Sequence, residues 1–105
     1  MDPKILVVEN HHDLRSAIVA AFAREHVPCD AVVTGSDALL KLRDHHYAYV
    51  LVDDDEETGA GALIDKLTAD PKSPKLILLT EFERDDVLFL RKPFDSKQLL
   101  ARVSE

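Results

Sequence analysis

The sequence predicts an α/β fold, a three-layer sandwich built on a parallel sheet, and three observations lead there. Four short runs, Ile5-Leu6-Val7-Val8, Tyr49-Val50-Leu51-Val52, Leu76-Ile77-Leu78-Leu79 and Val87-Leu88-Phe89-Leu90, are unbroken by polar residues, the pattern of strands covered on both faces. Between them, apolar residues recur at helical spacing, and alternation of strand and helix implies parallel neighbours. Length sets the third limit, because 105 residues make one domain, 1–105, just large enough to bury its own core.

Leu14, Ala17, Ile18, Ala21 and Phe22 mark the first helix, with Asp13 as its expected cap. A short strand over Asp30–Thr34 follows, then Gly35 and Ser36, the expected cap of a helix carrying Ala38, Leu39 and Leu42 and ending at Asp44-His45-His46. The strand Tyr49–Asp53 precedes a third helix with Leu63, Ile64 and Leu67, which Asp70-Pro71 terminates before the strand Lys75–Leu79. The last helix carries Leu99, Leu100 and Val103, capped by Asp95 or Ser96. One connection breaks the pattern, since only the six residues Glu81 to Asp86 separate Thr80 from Val87. Returning along a strand means covering ~17 Å; six helical residues rise only ~9 Å, whereas six extended ones reach roughly 20 Å. An extended loop is therefore expected where a fourth crossover helix would lie, leaving four helices.

Composition is that of an ordinary globular protein, 46% hydrophobic and 31% charged, with no apolar stretch able to span a bilayer and no secretion signal. A net charge of −7 argues against nucleic acid as a direct partner. The single cysteine, Cys29, permits no internal disulfide, which suits a reducing cytoplasm. With only three glycines there is no glycine-rich phosphate loop for a flavin or nucleotide enzyme. The pairs His11-His12 and His45-His46 are expected to be solvated, because adjacent side chains rarely converge on one ion.

Chemistry gathers at the strand ends. The four apolar runs deliver Glu9, Asp53, Thr80 and Lys92, two acids, a hydroxyl and an amine, to the edge of a parallel sheet where ligands usually bind. This arrangement resembles the receiver domain of bacterial two-component response regulators. The resemblance covers nearly the whole chain and implies a flavodoxin-like five-stranded sheet of order 2-1-3-4-5. It also implies that Asp53, closing Tyr47-Ala48-Tyr49-Val50-Leu51-Val52-Asp53, accepts a phosphoryl group from a histidine kinase or phosphotransfer domain, with no enzymatic activity beyond phosphorylation and dephosphorylation of the domain itself. Mg²⁺ would be held by Glu9, Asn10, Asp53 and the carbonyl of Asp55. Lys92 would pair with the carboxylate or phosphoryl group, Thr80 would bond a phosphoryl oxygen, Phe89 would serve as the aromatic switch, and Pro93 matches a peptide bond that receivers often hold cis.

Four features depart from that family. Asn10 puts a neutral amide where an acid normally ligates, which weakens Mg²⁺. Glu81 brings a carboxylate to the rim of the phosphoryl pocket, Glu57 replaces a proline, and the fourth helix is missing. They favour an alternative, a pseudo-receiver that binds a neighbouring domain, an output partner or a small ligand on the uncovered face. Phe82, Arg84, Phe89 and Arg91 would line that face, with a cyclic dinucleotide as one ligand suited to arginine and aromatic planes. Equally, Phe82 could fold back and close the gap.

Overall fold

A computed structural model describes residues 5–103. Its sheet has five strands, all parallel, in the order β2-β1-β3-β4-β5. They are β1 (Ile5–Val8), β2 (Cys29–Val32), β3 (Tyr49–Asp53), β4 (Lys75–Thr80) and β5 (Phe89–Arg91). Among the described residues there are four α-helices, α1 (His12–Arg24), α2 (Gly35–Asp44), α3 (Gly61–Ala69) and α4 (Ser96–Arg102), and one 3-10 turn at Glu56–Thr58. None is long and apolar enough to cross a membrane.

The apolar runs work as doubly covered strands because alternate residues feed two cores. Ile5 and Val7 pack with Leu51, Ile77 and Leu79 against Ile18, Phe22 and Leu99 of α1 and α4. Leu6 and Val8 pack with Val50, Val52 and Leu78 against Ala38, Leu63 and Leu67 of α2 and α3. Burying a side chain of this size stabilises by about 1.5–3 kcal/mol, so the central strands anchor both layers. Tyr47 adds a polar tie on this frame, its hydroxyl donating to Asp30 Oδ2 at 2.7 Å. Cys29 is half-buried, and burial, helped by Asp30, pushes its thiol up to about 12.

Two helix starts differ from the sequence expectation and one agrees with it. Thr34, not Ser36, caps α2, its Oγ1 accepting from Asp37 N at 3.2 Å, and β2 accordingly stops at Val32. His11 rather than Asp13 is the N-cap of α1; Asp13 sits in the first turn, where its charge complements the helix dipole. Asp95 caps α4 in a capping box with Gln98.

The short connection contains no helix, as its length required. β5, however, begins at Phe89 instead of Val87: the carbonyl of Leu88 accepts from Leu78 N at 2.9 Å, and only Phe89–Arg91 lie opposite Leu78–Thr80. Phe82 does not fold back over the sheet; it is 71% exposed. Val87 and Phe89 lie half-buried against the α2–α3 side of the core, and Leu88 is exposed.

Gly35 fixes how close α2 approaches the loop after β3. A Cβ there would stand 2.5 Å from Gly59 O and 3.0 Å from Ala60 Cα, both backbone atoms. Gly35→Ala is therefore expected to lower the free energy of unfolding by roughly 1–3 kcal/mol through overpacking, although alanine is the better helix former by about 1 kcal/mol. Urea melts check this; an unchanged or raised midpoint would show that the loop yields freely.

Candidate functional site

Register places the site. Val8 lies opposite Val52 in the parallel pairing of β1 with β3, so the chain delivers Glu9 and Asp53 together at the carboxyl edge of the sheet. Both are completely buried. β4 ends in Thr80, also buried, and the backbone N–H of Lys92, just past β5, donates to Thr80 O at 2.7 Å. Lys92 Nζ then donates to Asp53 Oδ1 at 2.7 Å and stands 3.7 Å from Glu9 Oε1. The Lys92–Pro93 peptide bond is cis.

Two buried carboxyls cannot both be ionised cheaply beside one ammonium. Burial, then the adjoining Asp53 carboxyl and its charge, raise Glu9 above the usual carboxylate range, with Lys92 opposing. At Asp53 burial also pushes upward but is outweighed by the contact with the Glu9 carboxyl and by Lys92, so this carboxyl is held below its ordinary range. Burial works against the Lys92 ammonium, yet Asp53 and Glu9 more than compensate and keep it protonated. Asp53 thus holds its charge the more firmly of the two. Glu9 Oε1 and Asp53 Oδ2 are buried with no hydrogen-bond partner, so each retains a lone pair for a cation or an electrophile.

Loops complete the rim. Asp55 N donates to Asp53 Oδ1 at 3.4 Å, and the Asp55 carbonyl accepts from Thr58 N at 3.0 Å, leaving a second lone pair. Asn10 is bound sideways, Nδ2 donating to Glu57 Oε2 and Oδ1 accepting from Thr58 Oγ1, both at 3.3 Å. Arg15 Nη1 donates to the Glu9 carbonyl at 3.0 Å. A cavity of about 230 Å³ opens beside Asp53, with His11 and Lys92 on its wall and Glu81 and Phe82 among the residues closing it.

Comparison with solved structures bears on this geometry. The chemotaxis response regulator CheY4 of Vibrio cholerae superposes with a TM-score of 0.85 at 17% identity, over 99% of this chain and 98% of that one. A CheY-like receiver domain from Methylobacillus flagellatus gives 0.82 at 23% identity, over 99% and 98%. A response regulator from Thermotoga maritima gives 0.82 at 22%, over 99% and 96%. The chain has the receiver fold. No family model and no curated protein matches it by sequence.

Within the receiver fold, Glu9, Asp53, Thr80 and Lys92 do converge on one edge, as their positions after the strands required. Thr80 Oγ1 accepts from Phe82 N at 3.2 Å, tying the strand end to the loop. Phe89 is half-buried, its carbonyl accepting from Arg102 Nε at 3.0 Å. Arg84 and Arg91 are each engaged within their own segment, Arg84 Nη2 with Asp86 Oδ2 at 2.8 Å and Arg91 Nη1 with Glu83 Oε1 at 3.7 Å.

His11 is the residue that sequence reasoning missed. Its side chain is 58% exposed, in keeping with the expected solvation, yet it also reaches the strand-end acids. His12 does point away, toward Arg15 at 3.3 Å. His11 instead turns back over the strand end, Nδ1 lying 3.3 Å from Glu9 Oε2 and 3.9 Å from Asp53 Oδ2. The available signal was its place two residues beyond a strand-end acid and one before a helix, where a side chain can return over the sheet edge.

The charge distribution has a pH signature. A folded-state value raised above the ordinary 4.5 of Glu9 contributes stability below that pH, and the contribution is lost as pH rises through the raised value. Glu9→Gln fixes a neutral side chain. Its stability relative to the parent is expected to grow as pH rises above 4.5 and to level off once Glu9 is ionised. Thermal melts of both forms across that window measure it; a constant difference would contradict the assignment.

Proposed function

We propose that this chain is a signal-transduction receiver of a two-component phosphorelay, accepting a phosphoryl group on Asp53 from a histidine kinase or phosphotransfer domain in the cytoplasm. One observation carries the reading: Asp53 is fully buried yet held as a carboxylate by Lys92 at 2.7 Å, while its Oδ2 stays unpartnered beside an open cavity. A carboxylate poised in this way is a nucleophile.

In the proposed step Asp53 Oδ2 attacks the phosphorus of a phosphohistidine. The phosphorus–nitrogen bond breaks, its electron pair returning to the donor imidazole. Lys92 meets the added negative charge from the adjacent oxygen, and the Thr80 hydroxyl turns its proton toward a phosphoryl oxygen. Glu9 Oε1 and the Asp55 carbonyl, beside the Asp53 carboxylate, offer oxygens to a divalent cation. Mg²⁺ held there would neutralise the dianionic phosphoryl group. Asn10, engaged with Glu57 and Thr58, brings no charge to that task. The donor has a surface to meet: a groove of about 510 Å³ lined by Leu14, Pro93 and Phe94 opens next to Lys92 and Glu81.

Phosphorylation would reach the surface through Thr80. Its Oγ1 now holds Phe82 N, and a change of partner there would release the loop that carries the exposed Phe82 and Leu88. Phe89, half-buried at the same edge, is the switch side chain in this reading.

A second reading has support of its own. The sideways bonding of Asn10 and the carboxylate of Glu81 at the cavity suit a pseudo-receiver, in which the acidic pocket is structural and the face around Phe82, Arg84, Phe89 and Arg91 binds a partner. For a cyclic dinucleotide, Arg84 and Arg91 would first have to leave Asp86 and Glu83. Amide-resolved NMR with Mg²⁺ followed by beryllofluoride, which mimics an acyl phosphate, separates the two. The receiver is expected to show saturable shifts at Glu9, Asp53, Thr80 and Lys92. Silence at millimolar Mg²⁺ would contradict it and favour the pseudo-receiver.

A further inference from the structure

His11 gives the pocket a nitrogen donor beside two carboxylates. One ligand atom each from Glu9, His11 and Asp53 lie within 4.8 Å of one another. Two ligands bonded to a single ion at about 2.0–2.2 Å stand roughly 3.0–4.4 Å apart. The separations of His11 Nδ1 from Glu9 Oε2, 3.3 Å, and from Asp53 Oδ2, 3.9 Å, already fall in that range.

One further observation points to a ligand. Asp53 Oδ2, 3.9 Å from His11 Nδ1, belongs to a completely buried side chain and has no hydrogen-bond partner. On the far side of the ring, His11 Nε2 lies 3.9 Å from Asp55 Oδ2. At that distance the Asp55 carboxylate adds negative charge near the ring without a hydrogen bond. Asn10, meanwhile, has its amide oxygen committed to Thr58, so the pocket lacks the third charged oxygen that a hard cation favours.

We propose that Glu9, His11 and Asp53 form a mixed nitrogen–oxygen site that selects a first-row transition dication of the cobalt, nickel or zinc kind over Mg²⁺. Imidazole is a favoured ligand of those ions, whereas Mg²⁺ takes oxygen ligands and dehydrates reluctantly. The inference rests on the receiver reading only in treating this pocket as a cation site. The alternative is that His11 merely hydrogen-bonds Glu9 from the N-cap position of α1.

The test titrates the full chain with Co²⁺ and, separately, with Mg²⁺, following the visible Co²⁺ absorption and amide shifts. The parent is compared with His11→Ala, His11→Gln and His12→Ala. The His11 side chain is 58% exposed, so its removal leaves no core cavity, and thermal melts verify folding. Co²⁺ is expected to bind the parent at least about ten-fold more tightly than Mg²⁺. Both His11 variants should lose about ten-fold or more of Co²⁺ affinity, while Mg²⁺ binding and the His12 variant change by less than about two-fold. Co²⁺ binding that ignores His11, or is no tighter than Mg²⁺, overturns the inference. If beryllofluoride with Mg²⁺ produces no response but Co²⁺ binding depends on His11, the receiver reading falls and this one stands; the opposite pattern sinks this inference alone.

Discussion

Two carboxyls buried side by side at the edge of a sheet, sharing one ammonium, are the constraint on which the rest of the structure depends. Removing an ion from water costs several kcal/mol even after relaxation. Here the cost is offset by a charge-assisted hydrogen bond of 2.7 Å between Lys92 and Asp53. That bond requires β5 to sit beside β4, so that Lys92 hangs from Thr80 O, and requires β1 beside β3, so that Glu9 meets Asp53. The two cores on either side of the sheet lock those registers, because a one-residue slip would turn Ile5, Val7, Leu51 and Ile77 to the wrong face. Packing therefore sets the geometry of the charges. The charges in turn leave two buried oxygens without partners, a state that invites a cation or an electrophile.

Much of the fold was legible because it obeys period and length. Unbroken apolar runs announced strands buried on both faces, and the connection after Thr80 was too short to hold a crossover helix. Ends were less legible. Thr34 outcompeted Ser36 as a cap because only its hydroxyl reaches the third amide of α2, and β5 lost Val87 and Leu88 because their pairing depends on how the preceding loop enters, which no local pattern encodes. The exposed position of Phe82 is likewise a tertiary outcome: Val87 and Phe89 already lie against the α2–α3 core, and Thr80 Oγ1 holds the backbone of Phe82 at the sheet edge.

At the site, strand order alone brought Glu9, Asp53, Thr80 and Lys92 together, since parallel strands share an edge for their carboxyl ends. What sequence could not show was the direction of side chains beyond those ends. Asn10 and His11 are neighbours, yet one turns toward Glu57 and Thr58 and the other toward Glu9 and Asp53. The effect is an exchange: an amide leaves the place expected of a charged oxygen, and an imidazole enters from the next residue. The chemistry of the pocket is then set by the Asp53 and Glu9 carboxyls, the Lys92 ammonium and a nitrogen donor, a combination that composition and spacing alone do not reveal.

The proposed receiver role makes the unpartnered oxygen of Asp53 a nucleophile toward phosphorus. The most direct measurement incubates the chain with a small-molecule phosphodonor and a divalent cation, followed by intact mass and peptide mapping, beside Asp53→Asn. One added phosphoryl group is expected, located on Asp53 and absent from the variant. No addition under saturating donor and cation, or addition that persists in Asp53→Asn, would contradict it.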